Sequence, residues 1–183
     1  MNKIKKTSLI FRVLFQILFV VLPVLLIVAW VQSAGTFEMV EGVINLNYVP
    51  AAYAGNILHP LSFSEKMLAL GAACLPLLVQ LYVLFSLIQL FKLYEQGVIF
   101  SIDNVRHIRN IGYALIVTQI MNVLYQGLMG FILTWHNPPG HHFSSIALDH
   151  TNIGVILVAL MVILISWIML EGCKIREEQQ LTV

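Results

Sequence analysis

The sequence has little charge for its length. Asp, Glu, Lys and Arg make up 10% of its 183 residues, whereas 59% are hydrophobic and the mean hydropathy is +0.87. Soluble globular domains carry about 25% charged residues. The composition therefore excludes an ordinary soluble domain, and the length leaves room for four membrane spans of about 20 to 25 residues with modest loops.

Ionisable residues are missing from the middle of every long apolar run. Proton- and ion-coupled transporters generally need such a residue as a relay or a binding charge, so this absence argues against secondary transport. No histidine lies in the middle of a run, which argues against a haem held between the helices. The chain also lacks a nucleophile–base or metal constellation, and we predict a non-enzymatic protein without a cofactor.

The two cysteines do not form a pattern that indicates thiol chemistry. Cys74 and Cys173 are predicted to lie at opposite depths of the membrane. Four-span thiol oxidoreductases need paired reactive cysteines, and this chain does not offer such a pair. We predict no disulfide between these two residues, because their Cα atoms should lie well beyond the ~7 Å limit for bridging.

Four long apolar runs predict an all-α polytopic membrane protein, a bundle of four transmembrane helices that forms a single domain over residues 1–183. Lysines precede the first run, as they do in a signal peptide. The apolar part of a signal peptide is usually only ~7 to 15 residues long, so we expect an uncleaved anchor instead. The predicted spans are approximately residues 9–31, 65–91, 105–134 and 151–173, with a central loop at residues 92–104.

Local signals mark several ends of the predicted helices. Ser62 and Glu65 have the spacing of a capping box that opens the second span. Gly97 is suited to the left-handed turn that ends this span. Ser101 and Asp103 can then cap the N-terminus of the third span. The outer loop at residues 33–63 contains short apolar pieces that fit either a small helix or a strand pair.

The basic residues are unevenly distributed between the two predicted sides of the membrane. Nine of the ten lie in the N-terminal segment and first turn, the central loop and the C-terminal tail, and Lys66 is the exception. Positively charged loops tend to remain in the cytoplasm. We therefore predict that both termini and the central loop are cytoplasmic.

The third span carries a stripe of amide side chains. Gln119, Asn122 and Gln126 are spaced i, i+3 and i+7, so they share one face of a helix and should point into the bundle. The stripe could line a cavity or a small-molecule site. The simpler interpretation is hydrogen bonding between helices, a common role of amides in membranes.

Most of the histidines lie in the predicted outer loops. Imidazoles are common metal ligands and titrate near neutral pH, so metal binding and pH sensing are both open interpretations beside that of ordinary loop residues. The spacing matches no established metal motif, and we predict no metal site. The candidate ligands in the loop after the third span are His136, His141, His142 and His150.

The charges around the central loop allow two interpretations. Arg106 and Arg109 can anchor the helix end to anionic lipid head groups, which is the interpretation that physical reasoning alone favours. They can instead form a docking surface for a cytoplasmic protein, together with Glu95 and Asp103. Three carboxylates on the same predicted side could pair with the arginines and tie the tail to the loop: Glu171, Glu177 and Glu178.

Two stretches of the sequence resemble a known family. The run Y-E-Q-G-V-I-F-S-I-D-N-V-R-H-I-R-N-I-G-Y at residues 94–113 and the ending E-G-C-K-I-R-E-E-Q-Q-L-T-V at residues 171–183 are similar to the signatures of small bacterial four-span proteins labelled only as a domain of unknown function. Ile175 stands where that family usually has Leu. The resemblance implies a multi-pass protein of the cytoplasmic (inner) membrane without established enzyme activity. Genes of this family often lie beside one for a small helix-turn-helix regulator of the Cro/CI type.

These observations lead to one main hypothesis of function. We expect a membrane sensor or regulator that acts through its cytoplasmic loop and tail on such a helix-turn-helix regulator, without binding nucleic acid itself. The alternative is an oligomeric channel or small-solute permease, a homo-oligomer whose path the amides of the third span would line. An enzyme ranks third. The candidate interaction surface comprises Tyr94, Glu95, Gly97, Phe100, Ser101, Asn104, Arg106, Arg109, Glu177 and Glu178.

Overall fold

A computed structural model describes residues 2–33, 36–40, 44–49, 60–138 and 150–181 of the chain. Within these residues there are four long α-helices and one short β-hairpin. The helices are α1 (Asn2–Ser33), α2 (Phe63–Gln96), α3 (Ile102–Leu133) and α4 (His150–Leu181), and the strands are β1 (Thr36–Val40) and β2 (Ile44–Asn47).

All four helices are long and apolar enough to cross a membrane. This confirms the predicted all-α class with four potential spans. Large apolar side chains are exposed along the helices, for example Leu157, Met161 and Ile168 of α4. An apolar surface of this kind is unfavourable in water and is suited to lipid. The chain is therefore a multi-pass membrane protein.

The start of α2 is fixed by the predicted capping box. The backbone N–H of Glu65 donates to Ser62 Oγ at 3.3 Å, and the backbone N–H of Ser62 donates to Glu65 Oε2 at 2.7 Å. Two N–H groups that the first turn cannot satisfy are thus paired by side chains. The capping box is confirmed.

The end of α2 is fixed by Gly97. Its φ of 88° lies in the left-handed region that glycine adopts without strain. The N–H of Gly97 donates to the Tyr94 carbonyl and the N–H of Val98 to the Leu93 carbonyl, both at 3.0 Å. This pair of bonds is a Schellman motif. The predicted left-handed turn is confirmed.

The outer loop contains a strand pair, one of the two predicted alternatives. Strands β1 and β2 pair antiparallel, with Thr36 opposite Asn47 and Val40 opposite Ile44, and the register shifts between Glu38 and Val40. The apolar stretch at residues 39–46 includes parts of both strands, and residues 41–43 between them lie outside the described residues. A second apolar stretch of this loop covers residues 48–54, of which residues 50–54 lie outside the described residues.

The chain folds into two compact units. Unit one comprises Met1–Phe19, Val79–Gln119 and Asp149–Val183, and unit two comprises Val20–Leu78 and Ile120–Leu148. Helices α1, α2 and α3 each contribute a segment to both units, whereas α4 belongs to unit one.

Unit two is built around the side chain of Trp30, which is fully buried. Small residues of α2 let neighbouring helices approach this core closely. The Tyr125 hydroxyl of α3 donates a hydrogen bond to the backbone carbonyl of Tyr48, just after the hairpin. The buried residues of this core are Leu26, Trp30, Val49, Ala69, Ala73, Met129 and Leu133.

In unit one, α3 and α4 come into close contact at Gly112. A Cβ atom placed on Gly112 would lie 2.6 Å from Ile163 Cγ1 and 3.2 Å from the carbonyl oxygen of Ala159. A contact of 2.6 Å is shorter than real Cβ contacts, so a larger residue at this position would require α4 or its Ile163 side chain to shift. Glycine at this point allows the backbones of the two helices to approach each other.

Candidate functional site

The connection between α2 and α3, residues 97–101, is held in place by Asn104. This side chain is fully buried, and its Nδ2 donates to the carbonyl oxygens of Val98 at 2.8 Å and of Ile99 at 2.7 Å. The backbone N–H of Asn104 donates to Ser101 Oγ at 3.3 Å, which makes Ser101 the predicted N-cap of α3. Only five residues link the two helices, and these hydrogen bonds fix their backbone.

Although its backbone is fixed, the connection exposes apolar side chains. Phe100 is 61% exposed, and Val98, Ile99 and Ile102 are each more than one third exposed. The Val-Ile-Phe sequence at residues 98–100 is too apolar for a freely solvated loop. The described part of the chain does not bury these side chains. We therefore expect the membrane surface or a binding partner to cover them.

The tail of the chain meets this connection in a groove of about 300 Å³. We expected the tail to turn back toward residues 101–109. Instead α4 continues as a helix to Leu181, and its last turns line the groove directly. We call this site the loop–tail groove. Its lining residues are Phe100, Ser101, Ile102, Asp103, Cys173, Arg176 and Glu177.

Two ion pairs near the groove form within single helices. Arg106 Nη1 lies 3.7 Å from Asp103 Oδ1, and Lys174 Nζ lies 3.3 Å from Glu171 Oε2. Both pairs are spaced i, i+3 on one helix and are well exposed, so each is worth only ~0 to 1 kcal/mol. Among the described residues, Arg106 and Glu171 are thus paired within their own helices and not with each other.

Helix α1 also contacts this end of α2, which sequence reasoning missed. Arg12 Nη1 lies 2.6 Å from Glu95 Oε2, and each side chain is less than one third exposed. Lys5 extends over Gly97, with its Cε 3.5 Å from where a Cβ would stand. A cation is favoured there, because the C-terminus of a helix carries partial negative charge. The sequence did contain one signal for this contact. Arg12 lies within an apolar run, and a charge in that position needs a partner.

Aromatic rings reinforce the contact between α1 and α2. The Phe11 and Phe91 rings are stacked with centroids 5.3 Å apart, and Tyr94 meets Phe91 edge to face at 5.8 Å. Tyr94 is half-buried in this cluster. We predicted Tyr94 as part of the interaction surface. It instead packs against Phe91 and is not among the residues that line the groove.

The amide stripe of α3 is partly enclosed. Gln119 is buried, at 9% exposed, and Asn122 and Gln126 are half-buried. The Gln119 Oε1 atom has no hydrogen-bond partner among the described residues. None of the three residues is in the exposed class, and Gln119 is the most buried of them.

A second site, also missed from the sequence, lies where α2 begins and α3 ends. Glu65 is 5% exposed, and its Oε1 lies 2.7 Å from Nδ1 of His136, while its Oε2 takes part in the capping box. Both residues line a groove of about 440 Å³, which we call the Glu65 groove. The lining residues are Ser64, Glu65, Leu68, Phe131, Ile132, Trp135 and His136.

Some of the candidate metal ligands lie outside the described residues, whereas both cysteines lie within them. Among the described residues there is no group of three or more His, Cys, Asp or Glu side chains that could hold a metal ion. His141 and His142, and the side chain of His150, lie outside the described residues. Cys74 and Cys173 are free thiols.

Comparison with known proteins identifies a family. The model of the family DUF2975, described as a protein of unknown function, matches residues 49–183. The chain is a DUF2975 protein. The matched segment contains both stretches that carried the resemblance, the loop–tail groove and the Glu65 groove, whereas Arg12 and Lys5 precede it. No curated protein and no solved structure matches this DUF2975 protein.

Proposed function

We propose that this DUF2975 protein is a non-enzymatic sensor or regulator of the bacterial inner membrane that acts through the loop–tail groove. The observation that carries the proposal is the exposed Phe100 ring on a connection that Asn104 holds in place. Apolar side chains exposed beside charged ones are typical of protein interaction sites. A lipid-anchoring loop would not need a fully buried side chain to define its path.

A fixed backbone favours binding. Partners that must order a flexible loop lose part of their binding free energy, and a connection fixed in advance reduces that cost. The groove also has the mixed composition of an interface, because Phe100 and Ile102 are apolar whereas Asp103, Arg176 and Glu177 are charged.

The partner that we propose is a small cytoplasmic helix-turn-helix regulator of the Cro/CI type. The resemblance of residues 94–113 and 171–183 supports this choice, as does the positive-inside rule, which assigns the groove to the cytoplasm. In this scheme the DUF2975 protein binds the regulator and the lipid bilayer, and the regulator alone binds nucleic acid.

In-cell crosslinking tests the proposal. A photo-crosslinking amino acid at Phe100 should give a protein adduct that contains the helix-turn-helix regulator. The same amino acid at Leu157, which is 58% exposed on α4 and does not line the groove, should not. Adducts with lipid alone at Phe100 would support the lipid-anchor interpretation and overturn this one. Charge reversal at Arg106 and Arg109 should abolish regulation but preserve membrane insertion.

A second candidate function is an oligomeric channel or small-solute permease. The buried Gln119 Oε1, which lacks a hydrogen-bond partner among the described residues, favours it because a solute or water could satisfy this oxygen. Reconstituted vesicles should then show solute flux that Gln119→Leu reduces. Absence of flux in vesicles that contain the homo-oligomer would exclude this function.

A further inference from the structure

The outward face of α2 carries two hydrogen-bonding side chains within the membrane span. Tyr82 and Phe85 are each 48% exposed, and Gln89 is half-buried. Their spacing of i, i+3 and i+7 places the three residues on one face of the helix. The other side of the same stretch packs inward, because Leu84 and Leu90 are each 7% exposed. All five residues belong to unit one. We call the face formed by Tyr82, Phe85 and Gln89 the α2 seam.

Tyr82 lies deep in the membrane span. Lys66 and Lys92 are the basic residues that flank the apolar part of α2, and Tyr82 follows the first by 16 residues and precedes the second by 10. At a rise of 1.5 Å per residue, the level of the nearer lysine is about 15 Å away. A tyrosine side chain does not extend that far, so the Tyr82 hydroxyl cannot reach the lipid head groups.

The polar groups of the α2 seam are not satisfied within the chain. Neither the Tyr82 hydroxyl nor the Gln89 amide takes part in a hydrogen bond among the described residues. Transfer of an unpaired hydroxyl or amide into hydrocarbon is unfavourable. Side chains of this kind commonly pair between membrane helices. The Tyr82 hydroxyl therefore calls for a partner group from a helix outside the described residues.

The chemistry of the α2 seam matches a second copy of the chain. All copies insert with the same orientation, because the distribution of basic residues sets it. Two copies that pair about an axis perpendicular to the membrane therefore bring their α2 helices together in parallel, and each residue near the axis meets its own counterpart. A hydroxyl and a primary amide both donate and accept hydrogen bonds, so each is complementary to itself. The alternating spacing of three and four residues is that of a parallel left-handed helix pair.

We infer that the α2 seam is the interface of a homodimer in the membrane. The Tyr82 hydroxyl of one copy donates to that of the other copy, the Phe85 rings pack against each other, and the Gln89 amides pair nearer the connection. The inference is independent of the proposed functions, because these residues line neither the loop–tail groove nor the amide stripe of α3.

Cysteine cross-linking in vesicles locates the interface. Phe85→Cys is introduced into the full-length chain with both native cysteines replaced by alanine, and the protein is oxidised after reconstitution at low density. We expect a disulfide-linked dimer that reduction removes. Leu164→Cys is the matched control, because it is 54% exposed on α4 of the same unit and follows Ile163, which contacts α3 at Gly112. Gly112 is 10 residues from the start of α3, and Phe85 is 11 residues from the end of α2, so the depths are similar. The control should give little dimer.

Removal of one hydroxyl separates the hydrogen bond from the packing. Energy transfer between dye-labelled copies, measured as the protein is diluted in lipid, gives the dissociation constant of the dimer. Tyr82→Phe keeps the ring and should raise this constant about three- to tenfold. Tyr113→Phe makes the same change on α3, where Tyr113 is also 48% exposed but lies one turn after Arg109, within reach of the head groups. This control should leave the dissociation constant unchanged.

Three results would overturn the inference. The first is a protein that stays monomeric at every density in the energy-transfer experiment. The second is a Leu164→Cys dimer as abundant as the Phe85→Cys dimer, which would place the contact elsewhere or show random collision. The third is a dissociation constant that Tyr82→Phe leaves unchanged or that Tyr113→Phe raises equally. None of these results bears on the loop–tail groove.

Discussion

Gly112 is the position at which the structure makes its sharpest prediction. Gly112→Ala adds one methyl group, and that group would lie 2.6 Å from Ile163 Cγ1, 3.2 Å from the Ala159 carbonyl oxygen and 3.3 Å from the Ile163 nitrogen. Rotation of the Ile163 side chain can relieve only the first contact. The other two atoms belong to the backbone of α4, so the two helices must move apart.

The magnitude follows from two opposing effects. Overpacking of a well-packed site costs typically about 1 to 3 kcal/mol, whereas replacement of a helical glycine by alanine contributes about 0.5 to 1 kcal/mol in the other direction. Gly112→Ala should therefore destabilise the protein by up to about 2 kcal/mol. Gly127→Ala is the matched control, because it lies on the same helix and its Cβ would have no neighbour within 4 Å. This control should be neutral or slightly stabilising.

Thermal unfolding in detergent measures the difference between the two variants. The two free cysteines provide the signal, since buried Cys173 and half-buried Cys74 become reactive toward a thiol-specific dye on unfolding. For a chain of this size, 1 kcal/mol shifts Tm by about 2 to 4 °C. Gly112→Ala should therefore unfold several degrees below Gly127→Ala. If the two variants have the same Tm, the close approach of α3 and α4 at Gly112 is refuted.

Four further predictions concern the backbone of the connection, the Arg12–Glu95 ion pair, the topology and the cysteines. Asn104→Ala leaves two carbonyls without their donor, so it should lower the free energy of unfolding by about 1 to 3 kcal/mol. It should also raise the rate of amide hydrogen exchange in residues 97–101, and an unchanged rate would show that the side chain does not fix this connection. A double-mutant cycle of Arg12→Ala and Glu95→Ala should give a coupling free energy of about 1 kcal/mol, and a value of zero would mean that the ion pair contributes nothing. Reporter fusions should place both termini in the cytoplasm, and a C-terminus on the outer side would contradict this prediction. Reduction should not alter the gel mobility of the monomer, because Cys74 and Cys173 are predicted not to form a disulfide. A mobility shift that Cys74→Ser removes would contradict this prediction.

The features that the sequence predicted correctly depend on residues close together in the chain. The four apolar runs are long enough to identify the helices by composition alone. The capping box at Ser62 and Glu65 and the left-handed Gly97 depend on residues at most five positions apart. Local patterns of this kind have a specific physical cause, and no tertiary contact was needed to recognise them.

Helix α4 extends beyond the end of the membrane span that the sequence predicted. We predicted a span that ends near residue 173, next to Gly172, but the helix continues to Leu181. Glycine within a helix costs only about 1 kcal/mol, and Gly172 does not have the positive φ that would end the helix. The following Lys, Arg, Glu and Gln residues favour helix formation. The hydrophobic run therefore predicted the membrane span and not the full helix.

The two pairs that the sequence did not reveal join residues far apart in the chain. Glu65 and His136 are separated by 71 positions, and Arg12 meets Glu95 across two different helices. Each residue had a sufficient local explanation: Glu65 as a cap, Glu95 as a surface charge and His136 as a loop residue. A single sequence contains no signal that selects one distant partner among several.

The structure also divides the family-like stretch at residues 94–113 into residues with different tasks. Gly97, Ser101 and Asn104 determine the path of the backbone, through the left-handed turn, the helix cap and the two hydrogen bonds to carbonyls. Their substitution would alter any surface on this connection, so loss of regulation in such variants could not identify a binding residue. Phe100 and Arg176 are exposed and take no part in those hydrogen bonds. Substitutions at these two positions are therefore the ones that can distinguish a docking surface from a structural signature, because they change the groove but leave the turn and the cap intact.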